Sequence, residues 1–113
     1  MRLRRNEVRE IRVLTCEGTM LLGSGAEELV DGFGGVLTEG RAGVVLDLTR
    51  LVYLDSAGVG SVVACAKRAA SSGVVMKIAL APEGPVRRIF EVTQLERGFE
   101  IFTSVDAAVS SFT

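Results

Sequence analysis

The residues best placed for chemistry lie in one short run, Leu54-Asp55-Ser56-Ala57-Gly58-Val59-Gly60, where an apolar strand over residues 44–48 passes through a turn into a helix. A serine at a helix start has its hydroxyl at the positive end of the helix dipole, beside backbone N–H groups with no partner inside the helix. A phosphate added there would be well received. The chemistry expected is therefore modification of Ser56 rather than catalysis by it. The same residues also have a purely structural reading. Ser56 would then be the N-cap of the helix and Asp55 a turn residue supporting it, while Gly58 and Gly60 would permit close helix packing. Thr49, in the turn before Leu54, is a second hydroxyl, and turn chemistry accounts for it.

Composition removes most catalytic alternatives. The chain has no histidine, so a Ser-His-Asp triad cannot be built, and a zinc site would need carboxylates and isolated thiolates alone. Cys16 and Cys65 are far apart, in different expected elements and in apolar surroundings, without metal or redox spacing. They read as buried small hydrophobes in a reducing cytosol. The Gly23-Ser24-Gly25 loop lacks the lysine and spacing of a P-loop, and Leu54 breaks a Gly-x-Ser-x-Gly pattern. No enzyme activity, cofactor or metal is expected.

Charge narrows the partners. Thirteen Lys and Arg balance fourteen Asp and Glu, leaving no overall field for nucleic acid or an anionic membrane, so proteins or small ligands are the expected partners. Arg2, Arg4, Arg5, Arg9 and Arg12 make the amino end locally basic, but Glu7 and Glu10 interleave and no aromatic residue accompanies them. That segment reads as a solvated strand face or a frayed tail. The longest uncharged runs are only about half a bilayer span and nothing resembles a signal peptide, which implies a cytoplasmic protein without membrane insertion.

The elements that must position Ser56 follow from periodicity. The 113 residues, 48% of them hydrophobic, suffice for one core, so residues 1–113 read as a single domain. Residues 11–16 alternate as a strand with one wetter face, and residues 21–25 form a loop. Ser24 and Glu27 fit a capping box, opening a helix whose apolar positions Leu29, Val30, Phe33, Val36 and Leu37 recur to Gly40. Gly32, Gly34 and Gly35 inside it each cost about 0.8–1 kcal/mol against alanine, so packing must hold this helix. The apolar run at 44–48 suits a central strand buried on both faces of a mostly parallel sheet. After Ser56, Val59, Val62, Val63, Ala66, Ala69 and Ala70 form a stripe that Gly73 closes. Residues 74–80 give another buried strand. Pro85 then opens a helix with Val86, Ile89, Phe90 and Thr93 inward and Arg87, Arg88 and Glu91 outward. A last short strand lies within residues 98–102, and Ser104 caps a final helix. The expected fold is α/β, a mixed, mostly parallel sheet of about four to five strands with about four helices.

With the elements in this order, the Asp55-Ser56-Ala57-Gly58 turn and the proline-led helix with Val86-Arg87-Arg88-Ile89-Phe90 resemble the STAS domain, over nearly the whole chain. In its isolated form that domain is similar to bacterial anti-sigma factor antagonists. The resemblance implies that Ser56 is phosphorylated by an anti-sigma factor with serine kinase activity, that the unphosphorylated protein sequesters this partner and frees the sigma factor, and that a serine phosphatase belongs to the cycle. It implies a partner surface of Asp55, Ser56, Ala57, Gly58 and Gly60, with Leu21 and Leu22 of the preceding loop at its edge. Two features depart from the family. Its frequent Gly-x-Leu-Asp loop is here Gly18-Thr19-Met20-Leu21-Leu22-Gly23, without the aspartate and with an apolar pair in reach. Its Gly-Leu after the proline-led helix is here Gln94-Leu95, at a point that favours left-handed dihedrals. The departures keep open a second reading, a STAS scaffold or an accessory subunit of a transport ATPase that never uses phosphorylation.

Overall fold

A computed structural model describes residues 1–113 as a mixed six-stranded sheet between unequal helical layers. The elements are β1 (Arg2–Val8), β2 (Ile11–Met20), α1 (Ala26–Leu37), β3 (Gly43–Asp47), β4 (Leu51–Leu54), α2 (Ser56–Ser71), β5 (Val75–Ala79), α3 (Pro85–Val92), β6 (Ile101–Phe102) and α4 (Val105–Ser110), with a 3-10 turn at Leu95–Arg97. The spatial order is β1-β2-β3-β5-β6. β1 runs antiparallel to β2, all other pairings are parallel, and β4 pairs only with β2.

Alternation along the central strands divides the core in two. Leu14 and Cys16, Val44 and Leu46, and Ile78 and Leu80 face a large cluster completed by Leu29 and Phe33 of α1, Val62, Cys65 and Ala69 of α2, and Val86 and Phe90 of α3. The intervening Val13, Val45 and Ala79 face a smaller cluster closed by Ala108 and Val109 of α4. Every residue of β3 is buried, as its unbroken apolar run requires of a strand covered on both sides.

Several details correct the sequence reading. The sheet has six strands because the basic amino end is a true strand and because a second strand follows the central one. Asp47 accepts hydrogen bonds from Thr49 N (3.0 Å) and Thr49 Oγ1 (2.6 Å), a local turn that ends β3. The chain then resumes as β4 beside residues 18–20, with a register shift between Gly18 and Thr19. The capping box at Ser24 does not form. The cap of α1 is Gly25, which makes no side-chain cap bond, and Glu27 instead accepts from Gly23 N at 3.0 Å, one residue before Ser24, whose own N–H donates to Leu21 O. In α2 the buried stripe is Gly58, Ser61, Val62, Cys65 and Ala69, rotated from the one expected, because the small polar Ser61 fits where its hydroxyl donates to Ala26 O at 2.9 Å. In α3, Arg87 turns back to donate to Ala81 O (3.0 Å) and Leu80 O (3.3 Å) rather than facing outward, and Thr93 is exposed. Ser104 does cap α4, accepting from Ala107 N at 3.0 Å, and Gln94 is left-handed (φ 60°).

The glycines of α1 answer the cost their presence implies. A methyl group on Gly32 would run into the Leu3 side chain, one on Gly35 into the Arg5 guanidinium, and one on Gly34 would lie 2.9 Å from the Arg68 guanidinium. The helix gives up intrinsic strength so that β1 and α2 can lean into it.

Candidate functional site

Ser56 is the first residue of α2, and the residue that caps the helix is Asp55. Asp55 has extended backbone (φ −93°, ψ −172°), and its Oδ1 accepts from Gly58 N at 3.0 Å. Its Oδ2 accepts from Leu22 N, also at 3.0 Å. One carboxylate therefore fastens the start of α2 to the loop after β2. Met20 O reinforces the junction by accepting from Asp55 N at 3.2 Å. The Leu22 and Gly58 N–H groups favour the ionised form and hold the Asp55 carboxyl below the usual carboxylate range.

This assignment overturns the reading of Ser56 as the cap. With Asp55 in that role, the Ser56 side chain is exposed at the amino end of a 16-residue helix and free of a capping duty. Thr49 is in the opposite situation, since its hydroxyl is committed to Asp47, a carboxylate that Thr15 Oγ1 also meets at 3.1 Å.

The other candidate residues separate by exposure. Gly60 is exposed, with open space where a side chain would be. Ala57 is half-buried and lines a shallow cleft between α1 and α2 with Ala26, Glu27, Val30, Asp31 and Ser61. Gly58 is buried: a Cβ there would collide with Met20 O and lie 2.8 Å from Leu54 Cβ. It is a packing residue, and its expected place on the outer surface is corrected accordingly. In the loop, Leu21 is half-buried and its backbone is tied to Ser24 by two hydrogen bonds of 2.8 and 3.0 Å, so the outward-facing member of the apolar pair is Leu22, 75% exposed. Tyr53 and Val52 on β4 are also exposed, and Tyr53 lies opposite Thr19 at the same end of the sheet. Sequence reasoning missed this pair because it missed β4. The signal was there in Leu51-Val52-Tyr53-Leu54, four residues of strand-favouring type.

Residues 3–108 match the family model of the STAS domain. The chain belongs to the STAS domain family. Among solved structures, an anti-sigma factor antagonist from Mycobacterium paratuberculosis superposes with a TM-score of 0.87 at 18% identity, covering 97% of this chain and 92% of that one. The anti-sigma factor antagonist SpoIIAA of Bacillus, in its unphosphorylated form, gives 0.69 at 19% identity over 97% and 96% of the two chains. In its phosphorylated form the values are 0.69, 17%, 99% and 100%. A sulfate transporter family protein from Wolinella succinogenes gives 0.74 at 13% identity over 94% and 87%. At such identities the likeness is one of fold, and the STAS frame is common to regulators and transporter-family proteins alike. No helix of this chain is long and apolar enough to cross a membrane.

Proposed function

We propose that this STAS domain is an anti-sigma factor antagonist whose affinity for an anti-sigma factor with serine kinase activity is set by phosphorylation of Ser56, and that a serine phosphatase reverses the modification. The observation carrying this reading is the division of labour at the start of α2, where Asp55 caps the helix and leaves the Ser56 hydroxyl exposed. Phosphate at this position adds roughly −1.5 to −2 charges at the positive end of the helix, so the fold tolerates it. It also sets a strongly hydrated dianion beside the Asp55 carboxylate, on a surface kept small by Ala57 and Gly60. A partner pressed onto Ser56 must desolvate that charge. Each 1.4 kcal/mol of such cost is about tenfold in affinity, so a few kcal/mol separate a tight complex from none. The domain is then a substrate and a binding module in the cytoplasm, with any nucleotide held by its partner.

The test is capture from a lysate of the source organism on wild-type, Ser56→Ala and Ser56→Asp baits, followed by direct binding to the purified partner. An ATP-binding protein kinase retained by Ser56→Ala and released by Ser56→Asp supports the switch. Equal affinity for all three forms overturns it and favours the scaffold or transport-subunit reading. The loop after β2, with Leu21 at the position where the family often has aspartate and the exposed apolar Leu22 beside it, is the one feature that leans toward that alternative.

A further inference from the structure

The side of the sheet away from α1 and α2 is closed by α4 alone, and the closure converges on one buried cation. Lys77, in the middle of β5, is only 7% exposed. Its Nζ donates to Ser111 Oγ at 2.7 Å and to Ser111 O at 3.1 Å, just past the end of α4. The ammonium lies 4.3 Å from the centre of the Phe112 ring and 5.8 Å from that of Phe102, and the exposed Glu100 carboxylate approaches to 3.9 Å. Phe112 in turn covers Gly43, where a Cβ would be driven into the ring. A second tether joins Arg9 to Ser110 Oγ at 3.1 Å.

We propose that residues 103–113 form a lysine-latched cover that opens as a unit while the rest of the domain stays folded. A six-residue helix has no stability of its own in water, so α4 exists through what it touches. What it touches is modest. Ala108 and Val109 are its fully buried residues, in a cluster of five set apart from the eighteen-residue main core. The strand that delivers it, β6, pairs with β5 over two residues. The charge-assisted bonds of Lys77 and its contacts with two rings are therefore a large share of what holds the cover down. Opening bares Val13, Val45 and Ala79, which are at most 2% exposed when the cover is closed. The α1–α2 layer with Ser56 lies on the opposite face of the sheet and need not move. The inference stands whether or not Ser56 is phosphorylated.

Amide hydrogen exchange of the whole chain, followed residue by residue, tests it. The hydrogen-bonded amides of Ala108, Ser111 and Phe112 should exchange at least 100-fold faster than those of β3, with little dependence on low denaturant. In Lys77→Met they should exchange about tenfold faster still, with Val59 of α2 unchanged. Phe112→Ala should act in the same direction, and serves if Lys77→Met fails to fold. If α4 and β3 amides share one rate in the wild type, or if the variants accelerate α2 and α4 equally, the cover is an ordinary part of the global fold and the proposal is overturned.

Discussion

Two glycines two positions apart in α2 should respond oppositely to the same substitution. Alanine in a helix interior is favoured over glycine by about 0.8–1 kcal/mol. At Gly60 nothing lies within 4 Å of a new Cβ, so Gly60→Ala should realise most of that gain. At Gly58 the added methyl meets the Met20 carbonyl and sits 2.8 Å from Leu54 Cβ, both part of the sheet that anchors the helix. Neither obstacle can rotate aside as a flexible side chain would, and Met20 O is already held by Asp55 N. Overpacking costs typically about 1–3 kcal/mol. With the upper figure, less the propensity gain, Gly58→Ala should lose about 2 kcal/mol, on the order of 8 °C in Tm for a domain of this size. Urea unfolding of the three proteins, read as midpoints at constant m, provides the comparison. A Gly58→Ala protein as stable as wild type would refute the packing argument, as would a Gly60→Ala protein destabilised to the same extent.

The site makes further predictions. Because the folded Asp55 pKa lies below its ordinary value, its contribution to stability is fully present above about pH 3.9 and is lost as pH falls through the folded pKa. The stability gap between wild type and Asp55→Asn should therefore be widest near neutrality and shrink below pH 4, and a gap constant from pH 7 to pH 2 would contradict the clasp. Burial pushes the Cys16 and Cys65 thiols up to about 12, Cys16 with a smaller contribution from the Asp47 charge. A thiol reagent at pH 8 should leave both unmodified in the native protein and label both in urea, whereas fast native labelling would show the core more open than described. Leu22→Ser removes an exposed side chain but keeps the backbone N–H that Asp55 uses, so stability should stay within about 0.5 kcal/mol while partner affinity falls. Unchanged affinity would place the contact surface away from the loop.

Much of this fold was legible where periodicity is strong. The buried run at 44–48, the proline-led helix and the Ser104 cap all came from local pattern. The Asp-Ser-Ala-Gly turn was recognisable as a helix start, yet which residue caps the helix was not. Asp and Ser are almost equally good N-caps, and the choice rests on Oδ2 finding Leu22 N, a partner thirty-three positions away in sequence. β4 was hidden for a related reason, because the Asp47–Thr49 turn that separates it from β3 reads in sequence as one apolar stretch with a polar interruption. Lys77 lay unnoticed in a strand that otherwise reads as buried. Only the arrival of Ser111 and two aromatic rings makes a charge acceptable there. What escaped the sequence reading at the helix cap and at Lys77 was a contact made across the fold, and at β4 a tight local turn.

The glycine sockets of α1 imply something about how chains of this type can drift. Leu3 with Gly32, Arg5 with Gly35 and Arg68 with Gly34 are matched pairs of bulk and vacancy drawn from distant parts of the sequence. Filling a vacancy alone strengthens the helix locally and evicts its visitor; trimming a visitor alone leaves a hole beside the helix. Since each visitor is the flexible end of a long side chain, the exchange can proceed in small steps, with bulk passing from β1 or α2 into α1 and back. Positions 3 and 32, 5 and 35, and 34 and 68 should then vary in concert among related sequences, keeping their summed volume while the identities change.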